Sequence, residues 1–110
     1  MPEVFEVYKD AREEHRFRLK APNGQIIATG EGYSTKASCL NGINSVKENC
    51  INPERWETYQ DSSEEWRFRL KAANGQIIAT GEGYSTEAAL TNGVESIQKY
   101  ALSAEIKEVE

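Results

Sequence analysis

The sequence predicts an α+β protein in which tandem β-β-β-α repeats form one mainly antiparallel sheet. Two helices lie on one face, and a pseudo-two-fold axis relates the halves. Three observations carry that reading. Residues 16–35 (RFRLKAPNGQIIATGEGYST) recur as residues 67–86 (RFRLKAANGQIIATGEGYST), nineteen of twenty positions being identical, with Pro22 set against Ala73. Each copy opens on a strictly alternating run, the period of a half-buried strand. Each is followed by apolar residues at helical spacing. A constant offset of 51 residues relates the copies, and a fixed internal period marks a structural unit used more than once.

The elements follow in order. Val4 to Tyr8 is rich in β-branched and aromatic residues and reads as a first strand. Arg16 to Ala21 alternates and reads as the second. Asn23-Gly24 then predicts a tight hairpin of type I′, with positive φ at both central residues, and Asn74-Gly75 repeats it. Gln25 to Thr29 is the third strand. Gly30-Glu31-Gly32 breaks it, and Ser34 or Thr35 supplies a helix N-cap hydroxyl. Cys39, Ile43, Val46 and Cys50 then form an amphipathic stripe, matched by Leu90, Val94, Ile97 and Ala101. Gly42 and Gly93 sit mid-helix, where glycine costs about 1 kcal/mol relative to alanine. Their presence in both copies predicts a close approach to the backbone.

Pro53 separates the first helix from the second unit. The chain divides into repeat 1 (1–51, core motif 16–35), repeat 2 (52–102, core motif 67–86) and an acidic tail (103–110), expected to fray. Three strands and one helix leave an apolar face and a bare sheet edge exposed. Two units joined in a sheet of about six strands relieve both, so a monomer with an internal pseudo-dimer is expected. The flanks of the twin block diverge: the fifteen residues before it agree at seven positions, the fifteen after it at four. A structural demand or a shared binding task held the block in common.

The 110 residues carry a net charge of −5, with 38% hydrophobic and 28% charged side chains, a composition that supports one globular core. Residues 1–51 are neutral and residues 52–110 carry the whole excess, so no global charge signature points to nucleic acid or an acidic membrane. No apolar run is long enough to span a bilayer. The N-terminal segment shows neither a basic region nor an apolar one, so the cytoplasm is the expected compartment. Cys39 and Cys50 would lie about 16 Å apart on one helix, too far for a disulfide, and are expected to be reduced and buried. With His15 the only histidine and on another element, no metal and no cofactor are expected.

The pattern F-x-L-K-A-x-N-G-Q-I-I-A-T-G-E-G-Y-S-T, followed by a helix carrying N-G-I-x-S-V, resembles the bacterial YegP-like family (UPF0339, DUF1508). The match covers both units, so the chain resembles the duplicated subfamily. That resemblance implies tandem β-β-β-α motifs in a joint sheet, and it implies no catalytic residues.

Arg16, Arg18 and Lys20 alternate with inward-facing Phe17, Leu19 and Ala21, and Arg67, Arg69 and Lys71 repeat the arrangement. Six cations therefore share the outer sheet face with Tyr8 and Tyr59. Cations beside aromatics on an open sheet can bind single-stranded nucleic acid. The competing reading pairs them across strands with Glu6, Glu57 and the acidic turns, and it is favoured. The Gly30 to Thr35 segment reads as a strand-to-helix connector, lacking the lysine of a phosphate-binding loop. Tyr33 and Tyr84 are expected to anchor helix to sheet, His15 to be a solvent-exposed strand end, and Glu13-Glu14 and Glu64-Glu65 to be solvated turn residues. The expected function is a non-enzymatic interaction or small-ligand-binding module with an unidentified protein or small-ligand partner. Single-stranded nucleic-acid binding is the alternative, and an enzyme of unknown class comes third.

Overall fold

Residues 3–109 are described by the computed structural model; Met1 and Pro2, on which the reading of the N-terminal segment partly rests, and Glu110 of the tail lie outside the described residues. Repeat 1 forms β1 (Val4–Lys9), β2 (His15–Lys20), β3 (Ile26–Thr29) and α1 (Lys36–Asn49). Repeat 2 forms β4 (Trp56–Gln60), β5 (Trp66–Lys71), β6 (Ile77–Thr80) and α2 (Glu87–Tyr100). The tail adds β7 (Glu105–Glu108). One seven-stranded sheet results, in the order β4-β5-β6-β3-β2-β1-β7. No described helix is long and apolar enough to cross a membrane.

The alternation in β2 sets the register. Phe17 faces Val7 and Leu19 faces Phe5 across the β1–β2 ladder, and all four are buried. Phe68 and Leu70 repeat this in β5. Both helices cover that face with one shared core. Cys39, Ile43, Val46 and Cys50 are fully buried there, as are Leu90, Ile97 and Ala101, whereas Val94 is only half-buried. Both cysteines are free. Each fully buried large side chain contributes roughly 1.5–3 kcal/mol.

The helices start at threonine. Thr35 Oγ1 accepts from Ser38 N at 3.1 Å, and Thr86 Oγ1 from Ala89 N at 3.1 Å. The close approach at the helical glycines is a tyrosine. A Cβ on Gly42 would stand 2.5 Å from Tyr33 Oη, and one on Gly93 would meet the Tyr84 ring in the same way. Burial pushes both phenols above their usual range.

Three expectations need correction. The tail does not fray: β7 lies parallel to β1, pairing Val4 with Glu105 through Val7 with Glu108, and it makes the sheet seven strands rather than six. The Asn-Gly turns are not type I′. Ala21 N donates to Gln25 O and Gly24 N to Ala21 O, and only Gly24 (φ 86°) has positive φ, not Asn23. The loop is therefore a three-residue type I turn closed by a left-handed residue, and Asn74-Gly75 repeats it. His15 is half-buried rather than solvent-exposed, because its N–H donates to Tyr33 O at 2.7 Å and its carbonyl accepts from Tyr33 N at 2.8 Å. Its counterpart Trp66 makes the same pair of bonds with Tyr84.

The repeats join at β3 and β6, where Thr29 pairs with Thr80. Their hydroxyl oxygens lie 3.4 Å apart, which places the pseudo-two-fold axis between them. β3 carries a bulge there: Leu19 faces Ala28 and Lys20 faces Ile26, leaving Ile27 as the extra residue, and Ile78 is its mate in β6.

Candidate functional site: an ion-paired sheet face and two seam clefts

The outer face carries the six cations, each against a carboxylate. Arg16 Nε donates to Asp10 Oδ2 at 2.6 Å and Arg18 Nε to Glu6 Oε1 at 2.7 Å, with Lys20 Nζ 3.4 Å from the same oxygen. In repeat 2, Arg67 Nε bonds Asp61 Oδ2 at 2.6 Å, and Arg69 and Lys71 hold Glu57 at 2.6 and 3.2 Å. Tyr8 and Tyr59 do lie on this face, under the guanidinium planes of Arg18 and Arg69 at 4.6 and 4.3 Å. The stripe is thus a mixed-charge lattice with stacked tyrosines, not a free row of cations.

Asp10 is also the hub of its turn. Its Oδ1 accepts from Arg12 N and Glu14 N, which holds Glu13 at φ 61°, a left-handed conformation that costs a non-glycine residue energy. Asp61 does the same for Glu64 (φ 62°). The arginines and these backbone donors hold the Asp10 and Asp61 carboxyls below the usual carboxylate range, and Arg18 and Arg69 do so for Glu6 and Glu57. A depressed folded-state pKa stabilises the protein above the ordinary carboxylate pKa, near 4, and that stability is lost as pH falls through the folded value. The urea midpoint is therefore expected to be level from about pH 8 to 5 and to fall below about pH 4. The double change Asp10→Asn with Asp61→Asn should lower the plateau and flatten the acid limb; an unaltered limb would mean these carboxylates do not couple to folding.

The Gly30-Glu31-Gly32 connector is shaped by close side-chain contacts. A Cβ on Gly30 would fall within 2.6 Å of three atoms of the Phe17 ring, and one on Gly32 would strike the Glu14 carboxylate. The glycines make room for an aromatic ring and a carboxylate.

The bulges and the short seam open two clefts of about 400 and 440 Å³. One is lined by Gln25, Ile26 and Ile27 of repeat 1 and by Glu82 and Tyr84 of repeat 2. The other takes Gln76, Ile77 and Ile78 from repeat 2 and Glu31 and Tyr33 from repeat 1. The two are pseudo-symmetric mates, and each joins the third strand of one copy of the twin block to the glycine-rich connector of the other. None of these lining residues was singled out for binding from the pattern alone. The near-identity of the block was the available signal, because a two-fold seam sets each residue against the other copy's partner surface.

A family model described as "Domain of unknown function (DUF1508)" matches residues 10–57 and again 61–108. These stretches start at Asp10 and Asp61, and each ends on a strand, β4 or β7. The chain is 43% identical over 109 residues to a "UPF0339 protein in ptx operon 5'region" of Stutzerimonas stutzeri, covering 99% of this chain and 98% of that one. It is 40% identical over 105 residues to the UPF0339 protein YegP of Yersinia pestis, covering 96% and 94%. The solution NMR structure of a protein of unknown function, yegP from E. coli, superposes with a TM-score of 0.92 at 38% identity, covering 98% of this chain and 93% of that one. That of a UPF0339 protein from Shewanella oneidensis gives 0.91 at 37%, covering 98% and 92%.

Proposed function

This chain belongs to the DUF1508 family, in a form that carries the domain twice, and from that premise we propose that it is a non-enzymatic interaction module. It takes a small ligand, or the side chains of a protein partner, in the twin seam clefts. The observation that supports this reading is their reciprocal construction. Each cleft is assembled from the third strand of one copy and the glycine-rich connector of the other, both within a block that is nearly invariant between the repeats, so one chain offers two nearly equal sites. An isoleucine floor beside a carboxylate suits a ligand with an apolar body and a cationic or hydrogen-bond-donating group.

The titratable groups agree with binding rather than catalysis. The ion-paired carboxyls are held below their usual range and so are poor proton donors at neutral pH. Burial pushes the Cys39 and Cys50 thiols up, away from the reactive thiolate. The carboxylate facing each stripe cation supports this reading over nucleic-acid binding, since a phosphate must displace an internal partner.

Titration of the ¹⁵N-labelled protein with a library of small amphiphilic cations tests the proposal. Shifts are expected at Ile26 and Ile27 together with Ile77 and Ile78, with closely similar affinities at the two clefts. A library that moves neither pair would sink it. A thymidine oligonucleotide serves as the counter-probe at about 50 mM salt. Binding that falls steeply with salt and disappears in Arg18→Ala with Arg69→Ala would overturn the proposal in favour of nucleic acid.

A further inference from the structure

The two sheet edges break the pseudo-symmetry. β7 covers β1, whereas among the described residues nothing pairs with the outer side of the equivalent strand, β4. The difference shows in burial: Phe5 and Val7 are 0% and 3% exposed, while their counterparts Trp56 and Thr58 are half-buried and exposed. The valine-to-threonine exchange fits the wetter site.

The free edge offers a template from Thr58 onward. Bonded and non-bonded pairs alternate along an antiparallel ladder. Asp61 N donates to Glu65 O at the hairpin end, so Glu57 and Tyr59 spend their backbone groups on β5. Thr58 and Gln60 consequently turn theirs outward, and Trp56 turns out its carbonyl, its N–H donating to Pro53 O. The same alternation in β1 turns Val7 outward, and its carbonyl accepts from Val109 N at 2.8 Å. Beside β4 lies a groove of about 260 Å³, with Trp56, Leu90 and Val94 as its apolar floor and Glu87 at its rim.

Charge identifies the occupant. In repeat 1, Lys36, the first residue of α1, pairs with Glu108 of β7, and Lys47 Nζ donates to Ala104 O at 3.3 Å. The counterpart of Lys36 is Glu87, and that of Lys47 is Gln98. The rim that holds an acidic strand in repeat 1 is thus acidic in repeat 2. We infer that the β4–α2 groove binds an extended segment of a partner protein, added parallel to β4 as β7 is to β1, with a lysine or arginine facing Glu87. This surface is separate from the seam clefts, and neither reading rests on the other. A second copy suits it less well: β7 from another chain, seated as β7 is on β1, would bring Glu108 to Glu87.

Two capped hexapeptides test this in the full chain by ¹⁵N chemical-shift mapping at low salt. One is the β7 sequence with its two glutamates made lysine, Ala-Lys-Ile-Lys-Lys-Val; the other is the acidic parent, Ala-Glu-Ile-Lys-Glu-Val. The basic peptide is expected to bind roughly five- to tenfold tighter, shifting β4 and the facing side of α2. Glu87→Lys should reverse the preference while leaving the fold intact, since Glu87 is an exposed residue. Thr58→Pro should abolish binding of both peptides, because it removes an outward N–H that β5 does not use. Absence of shifts at millimolar basic peptide, or equal binding of both peptides that ignores Glu87→Lys, overturns the inference. A concentration-dependent dimer lost in Thr58→Pro also overturns it, by seating a second copy on the edge.

Discussion

Phe17→Ala is expected to cost about 3–5 kcal/mol and to lower the unfolding midpoint of both repeats together. Phe17 is fully buried, packs edge-on against Phe5 at 5.8 Å and lies over Gly30. Removing the ring leaves a cavity between a sheet and a helix that have little freedom to collapse. A domain of this size has about 5–15 kcal/mol of stability in total, so the loss is a large fraction of it. The coupling follows from where the helices sit. α1 packs on β2 of its own repeat and reaches β5 and β6 of the other, and α2 packs on β5 and reaches β3. Neither repeat can shed its helix without opening its neighbour's core. Both tryptophans, Trp56 and Trp66, lie in repeat 2, so indole fluorescence reports the half that is not mutated. In urea the fluorescence and far-UV circular dichroism midpoints should fall together. A fluorescence midpoint that stays put while the dichroism splits into two steps would show that the repeats fold separately.

Gly30→Ala is the second large effect, with an expected cost of about 1–3 kcal/mol from overpacking. The added methyl would lie within 2.6 Å of three ring atoms of Phe17, a buried side chain with nowhere to go. Gly30 N also donates to Phe17 O at 2.9 Å, so strand and ring cannot separate without breaking the ladder. Gly81→Ala meets Phe68 in the same way. Gly42→Ala should cost less, although its methyl also collides. There the obstacle is the Tyr33 hydroxyl end, and alanine returns about 1 kcal/mol of helix propensity. The order Gly30→Ala worse than Gly42→Ala is read from thermal midpoints, and the reverse order would mean the Phe17 ring moves aside freely.

Much of the architecture was legible because its signals are local. Alternation in Arg16 to Ala21 gave β2 and its buried face; the stripe from Cys39 to Cys50 gave α1 and its core side; the 51-residue offset gave the second copy of each. Glu6 and Glu57 were legible as partners of the cations, since strand parity puts them on the same face. The turn was misjudged because Asn-Gly suits more than one hairpin, and the choice rests on the ladder register beyond it. There Pro22 joins the loop and Ile27 becomes a bulge.

The chain's own pattern determined two matched β-β-β-α units, their inward and outward faces, and the need for a shared core. Tertiary structure alone decided that the tail becomes β7 on the β1 edge, that β4 keeps an edge bare of any described strand beside an acidic rim, and that the third strand of each copy meets the other copy's connector across the seam as clefts. The reason is range. Side-chain period acts over a few residues, whereas strand order, edge occupancy and seam contacts join residues some fifty to a hundred positions apart, and only closure of the whole sheet selects them.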